Sequence, residues 1–453
     1  MKPVPPKPPA RPERVSLWRY LQLFRQDILS AQPAKLYRAW MAEFRAPTIR
    51  SFLINQPKLV QRVLKDEPDL FPKSDRIAEG LKPLLGDSVF LTNGERWKRQ
   101  RRIIDPAFEG GRLRETYPAM RAAAEAAVER LRARIAQDPE VEIEEVTSHA
   151  AADVIFRTLF SIPIDDAIAS QVFSRFRSFQ RSQPLLNLGA FFPLPAWMPR
   201  FFRYGTRRDA KEIRRLIRDL TTTRMQALKR GSAPDDLASK IMTTKDPVTG
   251  SGFDTEEMVD QVAIFFLAGH ETSASALAWA LYLMALFPDW QEKLAQEAVV
   301  LEDMSFASVS RLRFSRDVFR ETLRLYPPVP MMVREASCPV TFRDRNVPKG
   351  AQIVLSPWHL HRHERLWENP DGFDPMRWQT ENGKLCQREA FIPFSAGARV
   401  CTGAGFAMVE GPLILSMFIR HFKFELIAGE SPVPEAHLTV RSRDGIRLRL
   451  LPR

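Results

Sequence analysis

One cysteine of the 453-residue chain stands in a setting that favours metal ligation. The segment reads FIPFSAGARVCTGAGFAMVE, and its FxxGxRxCxG spacing is formed by Phe394, Gly397, Arg399, Cys401 and Gly403. An apolar helix is predicted after the cysteine, and the N–H groups and dipole at its start would stabilise a thiolate. The small residues let a flat ligand approach the backbone, while Phe394 can shield the sulfur and Arg399 can pair with an anionic group. These features predict that Cys401 is the axial thiolate ligand of a haem iron.

The alternative for a lone cysteine is a small buried hydrophobic side chain, and we assign that role to Cys338 and Cys386. Three cysteines without a CxxC pair exclude a disulfide framework and a cysteine-rich zinc site. Such sparse use of cysteine is typical of a reducing compartment, which predicts a cytoplasmic protein.

A long apolar stretch carries a second group of reactive side chains. Asp254 and Glu257 form a capping-box pattern, and the helix that they begin is expected to end at Phe287, before a proline. Val262–Phe287 is long enough to span a bilayer, but the polar residues 270–273 would be costly in lipid. We therefore expect a buried helix that crosses the core, and no transmembrane anchor.

With these motifs the chain resembles the cytochrome P-450 family of haem-thiolate monooxygenases, from about Thr48 to Leu451. The motifs are AGHET within the long helix, ETLRLYPPVP, FDPMRW and the cysteine segment, in the order typical of the family. The resemblance implies a mostly α fold with a smaller β-rich portion (α+β), in which haem b lies between the long central helix and the Cys-bearing loop and helix. It also implies a single catalytic domain, 15–453, preceded by a proline-rich arm, 1–14, that we expect to be stiff and extended.

The resemblance implies a charge network behind the cysteine loop. Glu321, Arg324 and Arg377 would form it, and such a buried trio persists only when it is fully paired. The family often has Glu where Met376 stands, but the arginine that follows is kept here. Other ExxR matches in the chain lack this context and are expected to be ordinary helix surface pairs.

The resemblance also implies cations for the two haem propionates. Trp97 and Arg101 form a WxxxR pattern on an early helix, and Arg334 and Arg399 would add two further partners. His361 is another candidate. Buried carboxylates need such pairing.

On the long helix, the resemblance assigns three residues to dioxygen chemistry. Gly269 would leave room for dioxygen, Thr272 would hydrogen-bond bound oxygen or a water, and Glu271 would feed protons inward. Oxygen activation needs protons delivered into a site from which water is excluded. Glu271 and Thr272 are therefore the expected catalytic pair.

Substrate-facing positions follow from the resemblance, although plain core packing explains them almost as well. They are the loop around Ile77 to Leu85, Phe265, Ala268, Val329, Met331, Met332, Leu438 and Thr439.

Several segments lack a clear helical period. We expect 66–94 to be irregular, 233–252 to be a polar loop, and His437–Leu451 to form a hairpin around Asp444-Gly445. Residues 183–202 are apolar and interrupted by proline and glycine. This pattern predicts a loop that either packs on the core or marks an interface or a ligand entrance.

Charge narrows the choice of partner. A net charge of +13 suits nucleic acid, an anionic membrane or an acidic protein. No basic–aromatic nucleic-acid motif occurs. Together with the resemblance, the charge predicts a docking face for an acidic ferredoxin or flavodoxin, formed by Lys98, Arg99, Arg102 and Arg388.

The resemblance implies a monooxygenase that inserts one oxygen atom of O2 into an apolar substrate, such as a fatty acid or terpenoid, by hydroxylation or epoxidation. Electrons would come from NAD(P)H through a reductase and a separate partner, since no GxGxxG in a βαβ context is present. A peroxygenase or decarboxylase on the same fold is an alternative, which Glu271 and Thr272 oppose. A haem-based sensor or ligand carrier is a second alternative.

Overall fold

The computed structural model describes residues 3–46, 49–182, 204–299, 303–436 and 438–453. Helix dominates these residues and strand forms a smaller part, which confirms the predicted fold class. The helices are α1 (Leu17–Gln26), α2 (Pro57–Gln61), α3 (Asp75–Leu85), α4 (Gly94–Ile104), α5 (Gly110–Ile135), α6 (Ile143–Phe160), α7 (Ala167–Ser182), α8 (Tyr204–Lys229), α9 (Leu237–Thr243), α10 (Thr255–Leu286), α11 (Pro288–Val299), α12 (Phe306–Val309), α13 (Arg313–Leu325), α14 (Pro357–Leu360), α15 (Glu381–Glu389) and α16 (Ala404–His421).

The strands are short and lie in four sheets of the described residues. They are β1 (Met41–Ala46), β2 (Ile49–Ile54), β3 (Glu140–Glu142), β4 (Met332–Glu335), β5 (Val340–Phe342), β6 (Arg345–Val347), β7 (Gln352–Leu355), β8 (Phe422–Leu426), β9 (Pro434–Ala436), β10 (Val440–Ser442) and β11 (Arg447–Pro452). One sheet has the order β1-β2-β7-β4 and another the order β3-β11-β8, while β9-β10 and β5-β6 are pairs. Strands β2 and β7 run parallel, with Leu53 opposite Val354.

Helix α10 crosses the larger hydrophobic core, as its apolar sequence predicts. The capping box at its start is complete, because the Asp254 side chain accepts from the Glu257 N–H at 2.8 Å and the Glu257 side chain accepts from the Asp254 N–H at 3.2 Å. The helix ends at Leu286, and Pro288 is the first residue of α11. A proline at that position lacks only an N–H that would have no helical partner.

Two segments predicted without helix contain one, so those expectations were wrong. In 66–94, α3 forms because Leu81, Leu84 and Leu85 bury one face, even though Pro83 lies within it. In 233–252, α9 forms because the Asp236 side chain accepts from the Ser239 N–H at 3.0 Å and caps its start.

The predicted C-terminal hairpin is also wrong. Strand β10 pairs with β9, and β11 pairs with β3 and β8. Gly445 does turn the chain, with φ +81°, but the strands on either side of it part into different sheets. Leu448 and Leu450 of β11 are almost fully buried, and burial against β3 and β8 outweighs the local turn signal.

The N-terminal arm, from residue 3, lies along the body of the protein. The Tyr326 hydroxyl donates to the Pro6 carbonyl at 2.8 Å, and Lys7 forms an ion pair with Asp371. Farther along, the Arg11 N–H donates to the Gln32 carbonyl at 3.1 Å. The apolar segment 183–202 lies outside the described residues.

None of the helices in the described ranges is both long and apolar enough to cross a membrane.

Candidate functional site

The loop before α16 presents the Cys401 sulfur. The Cys401 N–H donates to the Phe394 carbonyl at 2.9 Å, which closes the loop between them. Gly397 has φ +67°, and a Cβ there would lie 2.0 Å from the Leu64 carbonyl oxygen, so only glycine fits. Cys401 is exposed at the surface of the chain, but the protein atoms packed around its sulfur desolvate the thiol and raise its pKa, while the Gly403 N–H and Arg101 act to lower it. A thiolate at this place therefore calls for a bound metal cation.

Behind the loop, the structure brings Glu321, Arg324 and Arg377 together. Arg324 forms two hydrogen bonds with Glu321, of 2.7 and 2.9 Å, and Arg377 reaches the same carboxylate at 3.2 Å. Both arginines also donate to backbone carbonyls, including that of Gly372. The side chains of Glu321 and Arg324 are fully buried, so the trio meets the requirement of complete pairing.

Three cations surround the buried indole of Trp97, and a fourth, Arg334, lies beside one of them. The guanidinium of Arg399 lies 5.0 Å from the ring centroid, the Lys73 ammonium 5.7 Å and the Arg101 guanidinium 6.0 Å. An isolated β-bridge places Lys73 beside Arg334. Burial, together with the charges of Arg334, Arg399 and Arg101, lowers the pKa of Lys73 to about 6.

The charges of this cluster do not balance. Arg101 pairs with Asp105 at 2.9 Å, but no ion pair within the described ranges joins Lys73, Arg334 or Arg399 to a carboxylate. The Arg399 Nε is buried without a partner, and burial lowers the pKa of Arg334 to about 10. Such a group persists only when an anion completes it. The two propionates of a haem would supply these anions, and the Cys401 thiolate would supply its iron ligand. The residues present therefore fit a haem.

Lys73 was missed by the sequence analysis. It precedes the unrecognised helix α3, no motif marks it, and only tertiary contacts place it beside Trp97. The candidate His361 is placed elsewhere. Its Nε2 accepts from the Ile392 N–H at 2.9 Å, and burial lowers its pKa to about 3. His361 therefore supports the backbone before the cysteine segment and does not reach the cationic cluster.

Four consecutive residues of α10 make four different contacts, because successive side chains on a helix are about 100° apart. His270 shares a 2.7 Å hydrogen bond with Ser148 of α6. The Thr272 hydroxyl donates to the Ala268 carbonyl within the helix at 2.5 Å. The Ser273 hydroxyl donates to Glu410 of α16 at 2.8 Å.

The fourth of these residues, Glu271, is buried, and residues of the C-terminal segment bind its carboxylate. The Thr439 hydroxyl donates to its Oε1 at 2.7 Å, and the Arg441 guanidinium lies 3.4 Å from the same oxygen. Arg441 is 36% exposed, so this pair connects a buried carboxylate with the surface.

Gly269 and Thr439 both contact neighbouring parts of the protein. A Cβ on Gly269 would lie 2.4 Å from Ile155 Cδ1, so its missing side chain leaves room for Ile155 of α6. Thr439 is 3% exposed, and its hydroxyl donates to Glu271.

The other expected substrate positions differ in exposure. Ala268 and Leu438 are exposed, while Phe265 is half-buried with its ring 5.7 Å from that of Phe108. Val329, Met331 and Met332 are also half-buried. The stretch from Ile77 to Leu85 is helix α3 and not a loop.

The cations assigned to a docking face are mostly neutralised. Arg99 pairs with Glu257 at 2.7 Å, Arg102 with the buried Asp246 at 2.5 Å, and Lys98 with Glu95 at 2.9 Å. Arg388 is exposed on α15.

Comparison with known proteins agrees with this geometry. A sequence model described as Cytochrome P-450 matches residues 8–449. The chain is 30% identical, over 92% of its length and 87% of the relative, to cyclooctat-9-en-7-ol 5-monooxygenase of Streptomyces melanosporofaciens. It is 29% identical to a cytokinin hydroxylase of Arabidopsis thaliana, over 88% of this chain and 78% of that one. It is 30% identical to human Cytochrome P-450 4A11, over 84% and 76%.

Proposed function

The chain belongs to the cytochrome P-450 family, and from that premise we propose that it inserts one oxygen atom of O2 into an apolar substrate such as a fatty acid or terpenoid, by hydroxylation or epoxidation. The observation that carries the proposal is the unbalanced cationic cluster beside the Cys401 loop, which fits a haem b with its propionates. The relatives named as a monooxygenase and a hydroxylase support the general reaction.

The residues of this chain divide the work around the cofactor. Haem, when bound, supplies the redox chemistry that activates O2. Cys401 would hold its iron as a thiolate, and the buried Glu321 network holds the backbone of residues 361–374, which precede the loop of that cysteine. Lys73, Arg334 and Arg399 would bind the propionates and so fix the orientation of the ring.

Protons would enter along α10. Thr439 and Arg441 orient the Glu271 carboxylate from the side of the C-terminal sheet, and this carboxylate would relay protons inward. The adjacent Thr272 hydroxyl, bonded to the Ala268 carbonyl, is the next polar group along the helix. This acid–alcohol pair supports an O2-dependent reaction over the peroxide-dependent alternative.

Electrons would come from NAD(P)H through a reductase and a ferredoxin or flavodoxin. Since Lys98, Arg99 and Arg102 are paired within the chain, the docking face would rely less on them than the sequence suggests. Sparse cysteine use supports a cytoplasmic location for this protein.

A carbon monoxide difference spectrum of the reduced protein tests the proposal. We expect a thiolate-type Soret band in the natural protein and its loss in Cys401→Ala. An unchanged band in the variant would refute the ligand assignment. Turnover faster with peroxide than with a reductase system would replace the monooxygenase by a peroxygenase.

A further inference from the structure

A cationic cleft lies apart from the Cys401 site and shares no residue with it. Three segments that are distant in sequence line it: residues 38–41, the turn 343–345 and Arg365. The cleft has a volume of about 310 Å³. One wall is the indole of Trp40, which stacks on His363 at a centroid distance of 4.3 Å, with the Arg365 guanidinium 5.6 Å from its ring.

The charge in this cleft is not neutralised by the protein. Four arginines line it, Arg38, Arg343, Arg345 and Arg365, with Asp344 as the single carboxylate. Asp344 lies 3.7 Å from Arg345, and both side chains are largely exposed. Arg343 donates only to the neutral Gln56 side chain, at 3.3 Å. Among the described residues, Arg38, Arg343 and Arg365 have no carboxylate partner, whereas Arg45 and Arg50 of β1 and β2 share Glu43.

The turn that carries Arg343 is conformationally costly. It joins β5 to β6 with two residues, since Phe342 pairs with Arg345. Arg343 adopts φ +54°, a left-handed conformation in which such turns normally use glycine. A long charged side chain therefore occupies a position that backbone stability alone would give to glycine. Strain of this kind is typical of sites where a side chain has a function.

From these observations we propose that the cleft binds a phosphate group, carried either by a soluble phosphate ester or by an anionic lipid headgroup. Guanidinium groups bind phosphate through paired N–H donors, and three of them without carboxylates would offer several such donors. The Trp40 wall gives an organic part of the ligand a flat apolar contact.

The test measures binding of inorganic pyrophosphate to the holoenzyme by calorimetry. We expect affinity to fall at least about fivefold in Arg343→Gly and in Arg365→Gln, and to fall with added salt. Because glycine relieves the left-handed turn, Arg343→Gly should also keep or raise the Tm, by up to about 2 °C. Lost binding in a protein of equal or higher stability separates a ligand site from a folding defect. Arg45→Gln, outside the cleft, is the matched control.

Vesicle flotation distinguishes the two sources of phosphate. Binding to phosphatidylcholine vesicles that contain phosphatidic acid, lost in Arg343→Gly, would assign the site to a lipid headgroup. Pyrophosphate binding without vesicle binding would assign it to a soluble ester. Equal pyrophosphate affinity in the cleft variants and the control would overturn the proposal. The proposal would also be overturned if pyrophosphate did not bind at about 10 mM, a concentration at which even a weak site is filled. That result would count against it even if an acidic ferredoxin bound the cleft instead.

Discussion

At the residue scale, the cofactor site depends on buried cationic groups whose burial is unfavourable in the chain alone. Lys73 is nearly surrounded by protein, its Nζ donates to the Val89 carbonyl at 2.7 Å, and its nearest charged neighbours are cations. An anion bound there removes the repulsion and adds a charge-assisted hydrogen bond. The relief of repulsion among these cations therefore contributes to the free energy of propionate binding.

We therefore expect Lys73→Gln to lose haem faster, by roughly tenfold, because a hydrogen bond to a charged group is worth about 1.5–3 kcal/mol. Transfer of haem to excess apomyoglobin measures the rate. Lys58→Gln, on the exposed side of α2, is the control. Equal rates in the two variants would remove Lys73 from the cofactor site.

Thr439 and Arg441 allow a second prediction at this scale. Thr439→Val leaves the Glu271 carboxylate without its 2.7 Å hydrogen bond. We expect roughly tenfold less product per NAD(P)H consumed, since losing such a bond costs about 1.5–3 kcal/mol. The carbon monoxide spectrum should stay of the thiolate type, Thr439→Ser should restore coupling, and the solvent isotope effect should increase. Arg443→Gln, whose arginine pairs with Glu435, should behave as the natural protein does.

At the element scale, helices with a clear apolar period were predictable, while those fixed by tertiary contacts were not. The capping box and the apolar run of residues predicted α10. Helix α3 was missed because Pro83 and the flanking turn residues hid a face that is buried only against other elements. The C-terminal hairpin failed because β11 has partners more than twenty residues away, and local turn chemistry carries no information about them.

The contact between α10 and α16 gives a prediction about pH. Burial raises the pKa of Glu410 to about 8, although the bond from Ser273 acts to lower it. The folded chain then holds one proton more than the unfolded chain between the usual value of 4.5 and about 8. Stability from this group is therefore present below pH 4.5 and decreases as pH rises through that window.

Glu410→Gln should remove this slope, because the amide keeps the shape of the neutral acid without titrating. Thermal unfolding of the holoenzyme at a series of pH values across the window measures it. Glu389→Gln, on the exposed end of α15, should leave the slope intact. A Glu410→Gln profile as steep as the natural one would mean that other groups cause the dependence.

At the scale of the whole molecule, the N-terminal arm contacts the end of α13 and the segment after α14. Pro5 and Pro8 are buried, and the arm covers the Tyr326 hydroxyl, near which the Arg362 guanidinium lies 3.9 Å from the Trp358 ring. A proline-rich strand loses little conformational entropy when it docks. The arm was predicted to be stiff, but nothing in the sequence indicated where it would lie.

Removal of residues 1–14 should lower the Tm by several degrees, on the order of 2–4 °C for each kcal/mol lost. Tyr326→Phe should account for part of the change, since it deletes only the hydrogen bond to the Pro6 carbonyl. Arg14→Gln, exposed at the end of the arm, should have no effect on the Tm. A truncated protein as stable as the full chain would show that the arm contributes nothing to the fold.

The parallel pairing of β2 with β7 has a consequence for synthesis on the ribosome. Leu53 leaves the exit tunnel with β1 as its only neighbour, and its second partner, Val354, follows about 300 residues later. At a translation rate of roughly 5–20 residues per second, the edge of β2 that later pairs with β7 stays unpaired for about 15–60 s. During that time its backbone groups can pair with another nascent chain. The yield of active enzyme in a heterologous host should therefore depend on chaperones and on translation rate more than the stability of the finished protein suggests.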